Sequence, residues 1–334
     1  MAYTDLIPEN VAPLNTRRIG IYDSNGNRVG QIPLGSLTPP TQGKKQYSFG
    51  ALSDIHITQD TAPSDFKKAL AYLNEDGDVA FTCICGDLTD TGTETQLAQY
   101  KAVVDAYSAD TPVYAIAGNH EASNEATTTA RIQPYTGKPL YYSFTHGNDL
   151  FIMVGEYRWN NSALFEDGEL QWLYETLEAN RNKRCFVFFH VFPWGDSGNA
   201  NGAYTNDLFS GTQGNVFKSL MAHYKNVTLF HGHSHFKFGL QAEDKKANYS
   251  SAFGYRSVHI PSLSVPRDIE DGERVDIYAD SEGYVVDVYE NGIHLRGRDF
   301  VKGEFLPIAS YWLDTTLQTI PAGTYTDSTG TIKT

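Results

Sequence analysis

The chain has 334 residues, with 26 Lys and Arg against 40 Asp and Glu, a net charge of −14. Its 40% hydrophobic content is enough for a sizeable core and excludes a fold that depends on disulfide staples. The acidic balance argues against a protein that lives on long nucleic acid or on membrane phosphate, since such binders carry a basic footprint.

In chain order, residues 1–46 read as an appendage. Ile19–Tyr22 and Arg28–Ile32 flank a segment containing Asn25-Gly26, a hairpin signal, and Pro39-Pro40 opens a polar linker. No apolar run marks a leader peptide in the first residues, and no stretch approaches the roughly 18 apolar residues of a spanning helix. The expectation is a soluble, cytoplasmic protein. From residue 47 to about 266 strands alternate with helices. Strands are expected at Tyr47–Leu52, Val79–Ile84, Pro112–Ile116, Leu150–Gly155, Arg184–Phe189 and Val227–Phe230. Helices are expected at Ser64–Leu73, Thr93–Tyr107, Gly168–Asn180 and Asn215–His223. Such alternation predicts an α/β fold. Cys83 and Cys85 alternate within an apolar run as core strand residues do, and with Cys185 they form no disulfide framework.

Residues 193–214 are rich in Gly, Asn and Ser, the composition of a long surface loop. Its aromatics Trp194, Tyr204 and Phe209 suit either a ligand wall or loop packing. Strands return at Val275–Tyr278, Gly283–Tyr289 and Ile293–Asp299, and the last twenty residues include eight threonines.

The chemistry lies where polar residues meet strand ends. Asp54 and His56 follow the first strand, Gly86-Asp87-Leu88-Thr89-Asp90 the second, and Gly118-Asn119-His120-Glu121 the third. His190 closes Phe-Val-Phe-Phe, and Gly232-His233-Ser234-His235 follows the last of the six. All five clusters fall at strand carboxyl ends, the edge where open α/β sheets bind ligands. Imidazoles, carboxylates and one amide oxygen suit first-row divalent metals: Mn, Fe, Zn or Co. Seven such donors exceed a single tetrahedral site and match two ions sharing a carboxylate.

Asp-x-His, Gly-Asp-x-x-Asp, Gly-Asn-His-Glu, a strand-end His and Gly-His-x-His, in that order, resemble the calcineurin-like metallophosphoesterases. The resemblance covers residues 47 to about 240. It implies a four-layer α/β/β/α sandwich, with the small β appendage at 1–46, the phosphoesterase domain at 47–313 and a Thr-rich tail at 314–334. The second sheet is expected to include Gly283–Tyr289 and Ile293–Asp299. It implies two divalent ions: Asp54, His56 and His235 on one, Asn119, His190 and His233 on the other, with Asp87 bridging. A metal-bound hydroxide would attack the phosphate. His120, with Asn119 at the substrate, would face the scissile phosphate as acid for the leaving oxygen or as transition-state stabiliser, and Asp90 would orient His120. Two ions bring +4 against the −2 of Asp54 and Asp87, so a positive site fits inside an acidic protein. His146, His223, His231, His259 and His294 match no ligand position and read as structural; Glu121 reads as a support behind the ligands.

Three departures from relatives narrow the expectation. Purple acid phosphatases carry Tyr where this chain has Asp90, so a ferric, coloured site is not expected. Thr91 and Ala117 stand where Ser/Thr protein phosphatases of this superfamily place arginines that clamp phosphate. What remains resembles a bacterial group that includes cyclic-nucleotide and glycerophosphodiester phosphodiesterases and broad phosphatases. With no extra cation evident for a dianionic phosphoryl group, a small diester is the expected substrate and a broad phosphomonoesterase the alternative. A third reading is a phage or prophage tail component carrying this module, located in the virion. In it the N-terminal hairpin or C-terminal tail would make homo-oligomer contacts.

Overall fold

The computed structural model describes residues 18–22, 28–33, 43–58, 64–75, 77–108, 110–122, 125–157, 165, 168–193, 197–198, 209–240, 248–251 and 253–334. Two compact units emerge, Met1–Lys44 and Lys45–Thr334. In the first, β1 (Arg18–Tyr22) pairs antiparallel with β2 (Arg28–Pro33) in the register Ile19 to Ile32, so the expected hairpin strands form. The Asn-Gly turn and the Pro-Pro linker lie outside the described residues.

The second unit runs β3 (Lys45–Leu52), α1 (Ser64–Glu75), β4 (Thr82–Cys85), α2 (Glu94–Tyr107), β5 (Val113–Ile116), α3 (Glu125–Thr136), β6 (Tyr141–His146), β7 (Asp149–Val154), α4 (Glu169–Ala179), β8 (Cys185–Phe189), α5 (Gly211–His223), β9 (Val227–His231), β10 (Tyr249–Ser250), β11 (Arg256–His259), β12 (Arg267–Glu270), β13 (Glu273–Asp276), β14 (Glu282–Tyr289), β15 (Gly292–Asp299) and β16 (Glu304–Asp314). Two six-stranded sheets result, in the orders β16-β15-β14-β3-β4-β5 and β10-β11-β9-β8-β7-β6. Within each, three strands run parallel: β3, β4 and β5 in one, all bearing motifs, and β7, β8 and β9 in the other, of which β8 and β9 bear motifs.

Side-chain alternation makes the layers. Phe49, Cys83, Cys85, Phe151, Met153, Phe186, Phe188 and Phe230 meet between the sheets. Their strand neighbours point the other way: Leu52 and Ile84 toward α1 and α2, Ile152, Val187 and Leu229 toward α4 and α5. That period of two buries both faces of each sheet and gives the helix–sheet–sheet–helix order. Local signals start the helices: Thr93 caps α2 by accepting from the Gln96 N–H, and Gly168 opens α4 at a φ of 89°.

One pairing differs from expectation. β14 and β15 join the sheet of the first motif strand, because β14 pairs antiparallel with β3 from Tyr284–Ala51 to Tyr289–Lys45. The motif strands themselves divide between the sheets. The Thr-rich tail carries no strand; it lies against α4 and α5, with Ile320, Tyr325 and Ile332 buried in their core. Asn226 brackets it, donating to the Gln318 carbonyl and accepting the Gln318 N–H, both at 2.8 Å.

Candidate metal centre between the sheets

The two sheets place their parallel strands so that all the carboxyl ends open on one edge. The loop after β3 is bonded to the loop after β4: Ile55 and His56 both donate their N–H to the Asp87 carbonyl, at 2.8 and 3.1 Å. The loop after β9 is tied to β8 through Gly232 N–H to the His190 carbonyl, 3.0 Å. Backbone geometry is unusual here. Asp54, His56, Asp87, His233 and His235 all take positive φ, between 48° and 73°. Left-handed backbone at non-glycine residues costs energy and collects at functional sites. Gly118 has no alternative, since a Cβ there would overlap Asp87; at Gly232 it would overlap Ser53 and Asp54.

These loops bring Asp54, His56, Asp87, His190, His233 and His235 together, none more than 9% exposed. His235 Nε2 lies 3.0 Å from Asp54 Oδ1, and His190 Nε2 3.0 Å from Asp87 Oδ2. Asp87 Oδ2 is also 3.6 Å from His56 Nε2, so this oxygen sits between the two histidine groups. Asn119 Oδ1 is 2.9 Å from His233 Nδ1. Ligand atoms of Asp54, His56, Asp87 and His235 lie within 4.8 Å of one another, and so do those of Asp87, His190 and His233.

The outer ring nitrogens are anchored. His190 Nδ1 donates to the Cys85 carbonyl at 2.6 Å, and His235 Nδ1 to the Val265 carbonyl at 3.2 Å. Such backbone anchors fix each ring so that Nε2 faces inward as an electron-pair donor. Two observations then test whether cations fit. His56 Nε2 and His235 Nε2 face each other at 3.0 Å, and the buried Asp54 Oδ1 and His190 Nε2 meet His235 Nε2 and Asp87 Oδ2 inside the same cluster. Converging lone pairs in a buried cluster suit divalent cations. Charge agrees: burial opposes ionisation of Asp54 and Asp87, yet His235 and His190 beside Asp54 and His190 beside Asp87 hold both well below the usual carboxylate range.

His120 stands at the rim, 35% exposed, with Nε2 3.9 Å from Asp87 Oδ2. Its Nδ1 is 2.5 Å from the backbone carbonyl of Asp90, whereas the Asp90 carboxylate points to His56 Nδ1 at 3.8 Å. Asp90 thus meets His120 through its main chain. Glu121 accepts from Thr89 N–H, Thr89 Oγ1 and Gly118 N–H at 2.8, 2.7 and 3.0 Å, clamping the second and third loops together. His231 bonds with Ser197 and Ser257, His259 with Ser234, and His294 with Ser310. His146 packs against Tyr47 and Phe81, and His223 meets Thr324. Phe209 is core, packed edge-on or tilted among Phe165, Phe189 and Phe217; Trp194 and Tyr204 lie outside the described residues.

Two residues escaped the sequence. Glu156, just past β7, is fully buried, and its Oε1 accepts the N–H of Val191 beside His190 at 3.0 Å. Burial first, then Asp87, pushes its carboxyl up to about 8. Its signal was available: Gly155-Glu156 ends an apolar strand as the other clusters do. The second is Arg267, which lines the cavity over the site with His56, Asp90, Asn119, His120 and Tyr278.

The sequence profile of calcineurin-like phosphoesterases matches residues 47–237, more than half of the chain. The chain belongs to the calcineurin-like phosphoesterase family. Among curated proteins none matches it. Solved structures it resembles include a purple acid phosphatase from yellow lupin (Lupinus luteus) seeds, at 17% identity and a TM-score of 0.57, over 81% of this chain and 54% of that one. Another is GAP50, the anchor in the inner membrane complex of Plasmodium, at 15% identity and a TM-score of 0.56, over 86% and 93%. These likenesses carry the fold. The chain spans about half the length of the lupin phosphatase. Among the described residues no helix is long and apolar enough to cross a membrane.

Proposed function

We propose that this chain hydrolyses phosphoric esters with two divalent cations held between the sheet edges, and that small diesters are its preferred substrates. The observation that carries the reading is the buried convergence of Asp54, His56, Asp87 and His235 in one group and of Asp87, His190 and His233 in another, with Asp87 common to both. In this reading Asp54, His56 and His235 hold one cation, Asn119, His190 and His233 the other, and the Asp87 carboxylate serves both. Mn, Fe, Zn and Co all suit these donors. Bound there, the cations would neutralise the phosphate and lower the pKa of water toward neutrality.

The chain's own groups supply the rest. His120, its Nδ1–H committed to the Asp90 carbonyl, presents Nε2 to the cavity, where it can give a proton to the departing oxygen. Asn119, on the same loop, lines the cavity beside it. Glu121 and Glu156 keep the loops in register.

The diester preference rests on charge. Among the cavity-lining residues the fixed cation is Arg267, whose Nε is 2.9 Å from Asp276 Oδ1, so the pair adds no net charge for a dianionic monoester. Arg267 also favours the second reading, a phosphomonoesterase, if substrate draws it from Asp276. Hydrolysis of bis(p-nitrophenyl) phosphate and p-nitrophenyl phosphate, with Mn(II) and with EDTA, tests both. The expected result is Mn-dependent turnover that EDTA abolishes and that favours the diester. Preference for the monoester would shift the reading to a phosphatase, and turnover that survives metal removal would end it.

A further inference from the structure

The cavity over the site has a volume of about 580 Å³, more than a phosphoryl group fills and within the range of small-molecule pockets. One wall is a β-ribbon. β12 and β13 pair antiparallel from Arg267–Asp276 to Glu270–Glu273, turning through Asp271 and Gly272 at φ of 50° and 85°, the positive-φ pair of a tight hairpin. The ribbon is registered on the ligand loop, because Arg267 N–H donates to the His235 carbonyl at 2.8 Å and the Arg267 carbonyl accepts the Lys237 N–H at 3.0 Å. Arg267 and Asp276 are direct cross-strand partners, so their ion pair holds the guanidinium against the cavity. Pairing runs one step further, with Ile277 N–H on the Pro266 carbonyl at 2.7 Å, and carries Tyr278 onto the same wall. Tyr278 is 75% exposed. Single exposed aromatics are ordinary on surfaces. This one lines the cavity beside a guanidinium, on a ribbon fastened to a ligand-bearing loop.

Resting on the phosphoester reading, we propose that the ribbon is a second subsite that selects esters bearing a planar ring. Tyr278 covers the ring, and Arg267 reads an oxygen acceptor next to the phosphate. Aryl groups and nucleobases share that chemistry. A rigid aromatic offers contact area at low entropy, and a guanidinium offers directed donors.

The test uses phosphonates, whose P–C bond the proposed reaction does not cleave, and reads binding by calorimetry on the full chain with Mn(II). Phenylphosphonate is compared with methylphosphonate, and an adenine-bearing acyclic phosphonate with the same phosphonate lacking its base. Each ring should tighten binding about tenfold, the size of one ring-stacking contact. Tyr278→Ala should erase that ratio and leave methylphosphonate affinity unchanged, while Tyr278→Phe keeps it. Arg267→Gln should weaken the two acyclic phosphonates, chosen with an ether oxygen beside the phosphonate, more than the two ligands that lack such an acceptor, and preserve the ring ratio. The pair with the larger ratio identifies aryl or nucleobase. Equal affinity with and without the ring, or a ratio that survives Tyr278→Ala, would overturn the subsite. Loss of hydrolysis with the ratio intact would instead count against the proposed function alone.

Discussion

At the scale of single residues, His120 and Asp90 separate two roles that sequence alone merges. The resemblance implies that Asp90 orients His120; in the fold the Asp90 carbonyl lies 2.5 Å from His120 Nδ1, and the carboxylate faces His56. His56 and Asp90 are electrostatically linked, the His56 imidazole 3.8 Å away holding the Asp90 carboxyl below its usual range. His120→Ala should therefore slow turnover by about 10²–10⁴-fold, most for diesters with poor leaving groups, where proton donation matters most. Asp90→Ala should lower activity without changing the leaving-group dependence. A series of aryl diesters of graded phenol pKa measures both slopes; parallel slopes for His120→Ala and the unaltered chain would remove the acid role. The candidate ligands were legible because Asp, His and Asn recur in short polar clusters after five of the six apolar strands. Glu156 was harder to read, because a lone acid after a strand is ordinary until its burial is known.

At the scale of elements, the tail and the ribbon carry the lesson. The tail's threonines suggest extended or strand structure, yet its contribution comes from three apolar side chains spaced along it. Ile320, Tyr325 and Ile332 close the outer face of α4 and α5, and Lys333 N–H donates to Gln171 Oε1 of α4 at 2.9 Å. Tyr325 also lies within ring contact of Tyr174, His223 and Tyr224. Tyr325→Ala should cost about 2–4 kcal/mol, as loss of a large buried side chain does. Chemical denaturation of the full-length variant reads this directly, and an unchanged midpoint would mean the tail is loosely held. Half of the ribbon is legible: the sequence suggests a strand at Val275–Tyr278, and the structure places it two residues earlier, as Glu273–Asp276. Its partner β12 is short and charged, Arg-Asp-Ile-Glu, and no apolar alternation announces it.

For the whole molecule, one buried carboxyl gives stability a pH dependence of known sign. Glu282, at the start of β14, is held between strands, and its Oε2 accepts the Phe238 N–H at 2.6 Å. Burial, then Asp280 and Asp299, push it up to about 8 from an ordinary 4.5, against the pull of the Phe238 N–H and of Lys237. The folded chain therefore keeps this proton where the unfolded chain releases it. The contribution is complete below about pH 4.5 and is lost as pH rises through 8, a change on the order of a few kcal/mol. Glu156 acts in the same sense. Denaturation midpoints measured from pH 5 to 9 should fall across this window, and Glu282→Gln should flatten the fall. A slope unaffected by that substitution would assign the effect elsewhere.

Taken alone, the sequence determined the α/β class, the hairpin strands at the N-terminus, most motif strands within a residue or two and the order of polar clusters at strand ends. Those features are local: apolar periodicity, turn residues and short motifs are written in neighbouring positions. Only the tertiary structure decided that β3, β4 and β5 lie in one sheet and β7, β8 and β9 in the other, that β14 closes on β3, and that the tail packs on α4 and α5. It also decided that Arg267, 32 residues beyond His235 in sequence, lines the same cavity as that histidine. Strand partners and cavity walls are choices among distant segments, set by which apolar faces can be buried together, and no local pattern encodes them.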